Sequence, residues 1–138
     1  MDQNRCSWAG GDPLMRAYDD EEWGVPQHDS RMLWEMLMLE GFQAGLSWIT
    51  VLATIRGAQI FCEMEQRGES FDDFCWSFTG GKILKGNGRS VPASSPLSEQ
   101  ISKEMKLRGF KFVGPTIVYA WMQAVGIVND HSARCFRR

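Results

Sequence analysis

Residues 108–126 read "RGFKFVGPTIVYAWMQAVG", and this stretch decides the fold. Gly109 is typical of a helix end, whereas Pro115 is typical of the first turn of a new helix. Apolar residues follow Pro115 at helical spacing until Gly126, which closes the segment. The stretch therefore predicts a helix, a short glycine-containing hairpin and a second helix.

The helix before the hairpin has clear signals of its own. Ser95 is a capping residue, and Pro96 suits the first turn. Leu97, Ile101 and Met105 recur every four residues and so share one face. This segment is predicted to be an amphipathic helix that ends at the hairpin.

The hairpin carries a local positive charge, which comes from four residues: Lys103, Lys106, Arg108 and Lys111. Backbone N–H groups at a helix start are unpaired and suit a phosphate. The pattern alone leaves two interpretations open, an ordinary connection between helices and an anchor for the DNA backbone.

The first half of the chain also indicates helices. Asp29 or Ser30 can cap a helix that runs to about Glu40. A second helical stretch is expected over residues 47–65, with an interruption near Gly57.

The middle of the chain completes the predicted all-α architecture. Residues 71–78 favour a short aromatic-rich helix, and residues 79–95, rich in Gly, Ser and Pro, favour an exposed loop. No segment alternates with a period of two. We expect one domain, with a pocket-forming part at residues 1–52 and a hairpin-bearing helical part at residues 53–138.

The composition bounds the class of protein. The 138 residues have a net charge of −2, which argues against a broadly basic surface that coats nucleic acid. No apolar run reaches membrane-spanning length and no secretory signal is present, so we expect a cytoplasmic protein without a membrane partner. The cysteines lack disulfide spacing, and Cys62 and Cys75 are expected to be buried.

Glu40 stands at the end of the apolar run "MLWEMLMLE" at residues 32–40. An ionised carboxylate is rarely buried without a partner, because desolvation costs several kcal/mol. The helix end could let Glu40 reach water, or a nearby Arg could pair with it. The functional alternative is a carboxylate inside an aromatic pocket, which accepts hydrogen bonds from a ligand or balances its positive charge.

His131 and Cys135 lie one helical turn apart and could face one metal ion. Cys6 could be a third ligand if the termini meet, and Asp19 or His28 a fourth. A structural zinc is one interpretation of this spacing. The other interpretation is a histidine that caps a helix and a cysteine that binds nothing.

Three long blocks of the chain carry a family resemblance. They include "DEEWGVP" at residues 20–26, "LEGFQAGLSWITVL" at residues 39–52 and "GFKFVGPTIVYAWMQA" at residues 109–124. With these blocks the chain resembles the 3-methyladenine DNA glycosylase I family. The resemblance implies an all-helical fold of the helix-hairpin-helix glycosylase superfamily, with zinc joining the two termini.

The resemblance also implies roles for individual residues. By position, Glu40 matches the catalytic, base-reading carboxylate, and the residues that match the base pocket are Tyr18, Trp48, Trp8 and Trp23. Gly45 and Leu46 match the tip that wedges into the duplex. The hairpin residues that match the grip on the DNA backbone are Lys111, Val113, Gly114 and Thr116.

The implied reaction is hydrolysis of the N-glycosidic bond of 3-methyladenine in double-stranded alkylated DNA, by a monomer. Superfamily members that also cut the strand use a lysine after the hairpin, whereas Thr116 occupies that region here. The resemblance therefore implies base removal alone, which leaves an abasic site.

The chain departs from the family pattern in two places. Asp19 replaces a zinc-binding histidine, so the implied ligand set becomes Cys6, Asp19, His131 and Cys135. Several dozen residues are missing between "WITVL" and "EMEQ", and their loss is expected to expose Ile55, Ile60 and Phe61. Besides a shortened enzyme, the departures allow an inactive DNA-binding module or a zinc-stabilised interaction domain.

Overall fold

The computed structural model of the chain describes the backbone of residues 4–43 and 48–138 and, within these ranges, all side chains except those of residues 48–51. It contains six α-helices and two short strands, in the order α1 Pro13–Ala17, α2 Ser30–Gln43, α3 Trp48–Gln66, α4 Phe71–Ser77, β1 Leu84–Lys85, α5 Pro96–Leu107, α6 Pro115–Ala124 and β2 Val128–Asn129. Over the described ranges, no helix is long and apolar enough to cross a membrane. The mostly helical architecture confirms the predicted class.

The two helices that flank the hairpin form as the sequence predicts. Ser95 and Ser98 make a reciprocal capping box, in which the Ser95 hydroxyl accepts from the Ser98 N–H at 3.1 Å. The last turn of α5 ends at Gly109, whose φ of +98° is left-handed. Phe110 and Val113 of the hairpin are both buried, so the connection is anchored in the core.

Helix α2 runs through the middle of the core. The Asp29 carboxylate accepts from the Met32 N–H at 2.9 Å, which confirms the predicted cap. Leu33 and Leu37 are fully buried, and the Trp121 indole of α6 donates to the Leu33 carbonyl at 3.0 Å. These contacts hold α2 against α6, and α2 carries Glu40 in its final turn.

Helix α3 is continuous, so the interruption expected near Gly57 is wrong. A Cβ at Gly57 would lie 3.2 Å from Met38 Sδ and 3.7 Å from the Phe110 ring. The glycine therefore allows close packing of α3 on α2 and on the hairpin without ending the helix.

The exposure predicted for the α3 face is only partly correct. Ile55 is 53% exposed, as expected, whereas Ile60 and Phe61 are buried because they face α2 and α4 rather than solvent. Phe61 packs its ring edge on Phe71. Cys62, expected to be buried, is exposed on the same helix.

The loop at residues 79–95 is largely exposed, as predicted, but it contains strand β1. This strand pairs in parallel with β2, with Leu84 opposite Val128 and Lys85 opposite Asn129. Two-residue strands are too short to show alternation in the sequence. The pair joins the middle of the chain to the segment that follows α6.

The two ends of the described chain meet. The Phe136 N–H donates to the Asn4 carbonyl at 2.9 Å. Nearby, the Arg5 guanidinium binds the Asp20 carboxylate at 2.8 Å. These contacts place Cys6 beside the C-terminal segment that contains His131 and Cys135.

Candidate functional site

The chain segment after α1 presents two adjacent side chains to two different places. Asp12 caps α1 by accepting from the Leu14 N–H at 2.8 Å. The helix continues directly into a π-helical turn, Tyr18–Glu22. Because successive helical residues point in different directions, Asp19 is fully buried whereas Tyr18 is only partly covered.

Asp19 belongs to a buried cluster with Cys6, His131 and Cys135. One ligand atom from each residue lies within 4.8 Å of the others. The two Sγ atoms lie 3.2 Å (Cys6) and 3.4 Å (Cys135) from Nδ1 of His131. The structure therefore brings together all four residues that the resemblance implied as ligands.

The histidine in this cluster is oriented by its second nitrogen. Nε2 of His131 lies 2.9 Å from the Trp23 carbonyl, which can only accept a hydrogen bond. Nε2 therefore carries a proton, and in the neutral imidazole Nδ1 offers a lone pair toward the two thiols and Asp19. Gly24 allows this approach, since a Cβ there would lie 3.0 Å from Nε2.

The donor set of the cluster fits a metal ion. Asp19 Oδ1 lies 3.2 Å from Nδ1 of His131 yet receives no hydrogen bond from the described residues. Two acceptors at this distance require a positive charge between them, which either a metal ion or a proton on Nδ1 supplies. Around a tetrahedral zinc ion with bonds of about 2.0–2.3 Å to nitrogen, oxygen and sulfur, the ligand atoms lie roughly 3.3–3.8 Å apart.

The alternative fourth ligand, His28, lies elsewhere. Its Nδ1 is 3.2 Å from Asp72, and its ring stacks on Trp76 with 4.5 Å between centroids.

Burial, the main cause, raises the pKa of Cys6 to about 12. An uncharged buried thiol is therefore the resting form of Cys6 in the protein alone.

An aromatic group lies next to the cluster. The Trp8 and Trp23 rings meet edge to face with centroids 5.1 Å apart, and Trp8 contacts Tyr18 at 6.2 Å. Trp23 also packs on the His131 ring at 4.8 Å. The four-residue cluster thus contacts the aromatic residues through His131, while Trp8 remains 40% exposed.

Glu40 is half-buried at the end of α2, and burial raises its pKa above the ordinary 4.5. Burial is also the main cause that raises the pKa of Tyr18, and the negative charges of Glu40 and Glu22 add to it. The charge of Glu40 therefore acts on the Tyr18 hydroxyl. Among the described residues no Arg or Lys forms an ion pair with Glu40, so the salt-bridge explanation is not supported.

An open cavity of about 310 Å³ lies along the same face of α2. Met32 and Met36 line it, one helical turn apart, whereas Glu40, one further turn along α2, is not among the described residues that line it. Glu21 and Glu22 form its acidic side. Apolar walls beside several carboxylates suit a flat, positively charged ligand.

Several residues implied by the resemblance cannot be placed in this geometry. Gly45 and Leu46 lie outside the described residues. Trp48 begins α3, but its side chain is also outside the described part.

The hairpin residues differ in their exposure to solvent. Lys111 and Thr116 are exposed, and Gly114 precedes the first turn of α6. Val113 is buried in the core, so only its backbone can face a ligand.

Sequence reasoning missed three contributors to the site. The Trp23 carbonyl fixes the His131 tautomer, Gly24 makes room for the imidazole, and Glu22 adds charge beside Tyr18. The run of acidic residues at positions 19–22 was a visible signal for the last of these. The backbone contact depends on tertiary structure and has no local signal.

Comparisons with known proteins agree over the whole chain. A sequence model of the methyladenine glycosylase family matches residues 8–54 and 51–138. DNA-3-methyladenine glycosylase 1 of Escherichia coli (strain K12) is 41% identical, with 95% of each protein covered. DNA-3-methyladenine glycosylase of Haemophilus influenzae (strain ATCC 51907 / DSM 11121 / KW20 / Rd) is 36% identical, with 95% of this chain and 96% of the relative covered. A crystal structure of 3-methyladenine DNA glycosylase I superposes with a TM-score of 0.89 at 41% identity, covering 96% of this chain and 98% of that one.

The comparisons also locate the missing segment. The alignment with the Escherichia coli relative runs over 177 positions, whereas the chain has 138 residues, so several dozen positions have no counterpart here. The two family matches meet at residues 51–54. The deletion expected after "WITVL" therefore falls in the first turns of α3, where two separate stretches of the relatives are joined into one helix.

Proposed function

Because the chain belongs to the methyladenine glycosylase family, we propose that it is a DNA repair enzyme that removes 3-methyladenine from alkylated DNA. The reaction is hydrolysis of the N-glycosidic bond. The similarity extends over 95% of the chain and favours the enzyme over an inactive DNA-binding module or an interaction domain. The structural observation that carries the proposal is the half-buried Glu40, which has no ion-pair partner among the described residues and whose charge acts on Tyr18, a residue in contact with Trp8.

The chemistry of the substrate explains this arrangement. A 3-methylated adenine is positively charged, so its glycosidic bond is already weak and the base leaves without a strong general acid. Glu40 accepts hydrogen bonds from the base and complements its charge. Trp8, Trp23 and, by family position, Trp48 provide aromatic faces that favour a cationic ring.

The base must leave the duplex before it reaches this site, which costs a few kcal/mol. By family position, Gly45 and Leu46 fill the gap that it leaves. In the proposed helix-hairpin-helix arrangement the exposed Lys111 and the start of α6 at Gly114 and Thr116 bind the phosphate backbone. Thr116 has no amine, so we propose that the strand remains uncut and that an abasic site is the product.

We further propose that Cys6, Asp19, His131 and Cys135 hold a structural zinc ion. When bound, the ion supplies a tie between the two ends of the chain, and it takes no part in base removal. The residues themselves hold the aromatic side chains in place, because His131 packs on Trp23 and Asp19 lies in the π-helical turn that also carries Tyr18. The working unit is proposed to be a monomer.

The direct test is release of methylated base from alkylated duplex DNA by the purified protein. We expect 3-methyladenine to be released, and Glu40→Gln to slow single-turnover release by about 100-fold, the size of effect typical for loss of one stabilising group. Glu35→Gln is the matched control, since it lies on the same helix, pairs with Arg31 on the surface and should keep full activity.

Two results would contradict the proposal. No release above background by the parent protein, together with duplex binding that falls with salt, would indicate a non-catalytic DNA-binding module. Equal rates for the parent and Glu40→Gln would remove Glu40 from the mechanism.

A further inference from the structure

An apolar groove lies between the start of α3 and the hairpin. Its volume is about 470 Å³, and it is lined by Leu52, Ala53, Arg56, Lys111 and Phe112. We call it the α3 groove. Leu52 is 49% exposed and Phe112 39% exposed, so large apolar side chains face solvent at both walls.

The α3 groove lies where the chain differs from its relatives. Residues 51–54, where the two family matches meet, contribute Leu52 and Ala53 to its wall. The relatives have several dozen further positions at this point, and this chain has none. The open groove is therefore a feature of the shortened chain.

The lining combines an apolar floor with cationic edges. Arg56 and Lys111 are both exposed, and the nearest acidic partner of Arg56 is Glu63, 3.7 Å away on the surface. Such an exposed pair is weak and leaves Arg56 available. Proteins bind unpaired nucleotides with surfaces of this kind, in which an aromatic side chain lies beside cationic ones.

Phe112 occupies an unusual backbone conformation. Its φ of +55° makes it the one non-glycine residue with positive φ in the described part of the chain. A bulky side chain is disfavoured in this region, and strained residues of this kind concentrate at binding sites. The strain holds an exposed aromatic ring at the edge of the α3 groove.

The α3 groove is close to the proposed base site. Gly41 lines a smaller cavity that shares Ala53, Lys111 and Phe112 with the groove, and Glu40 is the preceding residue. The final turn of α2 therefore presents Glu40 on one side and the groove on another. A single DNA strand can contact both.

We propose that the α3 groove binds an unpaired nucleotide of a DNA strand, with its base against Phe112 and Leu52 and its phosphate between Arg56 and Lys111. This inference rests on the proposed function in one respect, that DNA is the substrate. The groove volume lies within the range of about 300–1,000 Å³ that small-molecule sites occupy. A symmetric contact with a second copy is disfavoured because it would bring the same cations face to face.

The test measures binding of a fluorescent single-stranded oligothymidine and of an undamaged duplex by anisotropy. Phe112→Gly and Arg56→Gln should each weaken single-strand binding about 5-fold or more, the effect of losing one stacking or phosphate contact. Phe112→Gly should change duplex binding less than 2-fold. Glycine accepts the positive φ, so this variant should keep its fold, which the melting temperature verifies.

Two controls match the variants. Val91→Gly removes another exposed apolar side chain from a loop, and Arg31→Gln removes another exposed helical arginine paired with a glutamate. Both should leave single-strand binding within 2-fold of the parent. Equal weakening by the controls and by the groove variants would overturn the proposal.

Further outcomes separate this inference from the proposed function. Single-strand binding unchanged by Phe112→Gly overturns it, as does a dimer in sedimentation that this substitution dissociates, because the groove would then hold a second copy. Release of 3-methyladenine is scored independently on alkylated duplex. No single-strand binding by the parent protein, with its base release intact, refutes only the groove. Single-strand binding that depends on Phe112, without release of 3-methyladenine, refutes only the enzyme.

Discussion

At the scale of single residues, Glu40 shows the conflict between function and stability. It ends an apolar helix run, is half-buried and has no cationic partner in the described part of the chain. Desolvation opposes its ionisation, so the charge that suits a cationic base is held at a cost to the fold. Polar residues that break the local pattern in this way are typical of binding sites.

This cost predicts how stability depends on pH. Burial raises the pKa of Glu40 above 4.5 in the folded protein, so the folded chain holds this proton more tightly than the unfolded chain does. The stabilisation is complete below the ordinary pKa and is lost as pH rises through the raised value. Glu40→Gln should therefore raise the free energy of unfolding at pH 7.5.

The measurement is urea unfolding of the parent and Glu40→Gln at several pH values between 4 and 8. The difference should shrink as pH falls and disappear below about 4.5. Glu21→Gln, which changes an exposed carboxylate in the cavity beside α2, should show no such trend. A destabilised Glu40→Gln at pH 7.5 would mean that the carboxylate has a favourable partner in the free protein.

At the scale of elements, α3 is the part of the fold that the deletion has reshaped. It runs from Trp48 to Gln66 without a break, although the family matches meet inside it. The two halves of the helix differ. Ile60 and Met64 in the second half are buried in the core, whereas Leu52 and Ile55 in the first half face solvent. The second half of the helix therefore anchors it, and the first half forms the α3 groove.

The packing of α3 predicts a strong effect at Gly57. A larger side chain there would meet Met38 Sδ and the Phe110 ring. Gly57→Val should lower the free energy of unfolding by about 1–3 kcal/mol, the usual cost of overpacking a core. Gln59→Val, on the exposed face of the same helix, should cost only about 0.5 kcal/mol from helix propensity.

Thermal unfolding followed by circular dichroism checks this prediction. Equal destabilisation by both substitutions would show that the close approach at Gly57 does not carry the packing. Gly57→Ala should fall between the parent and Gly57→Val, because Met38 has a flexible side chain that can move by a few tenths of an ångström.

Local signals explain which elements could be predicted from the sequence. The caps at Ser95 and Asp29 and the prolines at 96 and 115 marked helix starts correctly, since each acts within one turn. Gly57 was misjudged because its close packing on Met38 and Phe110 favours an uninterrupted helix and is set by tertiary structure. The β1–β2 pair joins residues far apart in sequence, and two residues carry no pattern.

The residues of the candidate site, too, could be predicted only where the sequence carries a local signal. The spacing of His131 and Cys135 predicted that both face one metal ion from a helix. The structure brings both beside Cys6, but residues 131–138 form turns and irregular backbone, so the helical basis of this prediction is wrong. Choosing Asp19 over His28 from the residues alone was not possible, because the choice depends on how the π-helical turn packs against the C-terminal segment. The Trp23 carbonyl, a backbone group, had no sequence signal.

At the scale of the whole molecule, the segment after α6 contacts three other parts of the chain: the N-terminal segment, strand β1 and α6 itself. Cys6 lies beside His131 and Cys135, the Asn4 carbonyl accepts from the Phe136 N–H, and strand β1 pairs with β2. Tyr119 and Gln123 of α6 both donate to the buried carboxylate of Asp130, next to His131. The shortened helical part thus remains attached to the part that holds Glu40 and Tyr18.

The cluster predicts that metal removal destabilises the whole protein. Zinc that binds only the folded chain adds about 4 kcal/mol when its concentration is a thousand times its Kd, which corresponds to roughly 10 °C in Tm. The purified protein should contain about one zinc per chain, and a chelator should lower its Tm by this amount.

Asp19→Ala should lose the metal and melt near the chelated parent, whereas Asp19→His, which restores the ligand type that the family resemblance implies, should retain it. Cys62→Ser, an exposed cysteine outside the cluster, should keep both metal and Tm. Equal melting with and without chelator, in protein without metal, would refute the zinc tie and leave the Asp19–His131 contact at 3.2 Å as a direct interaction.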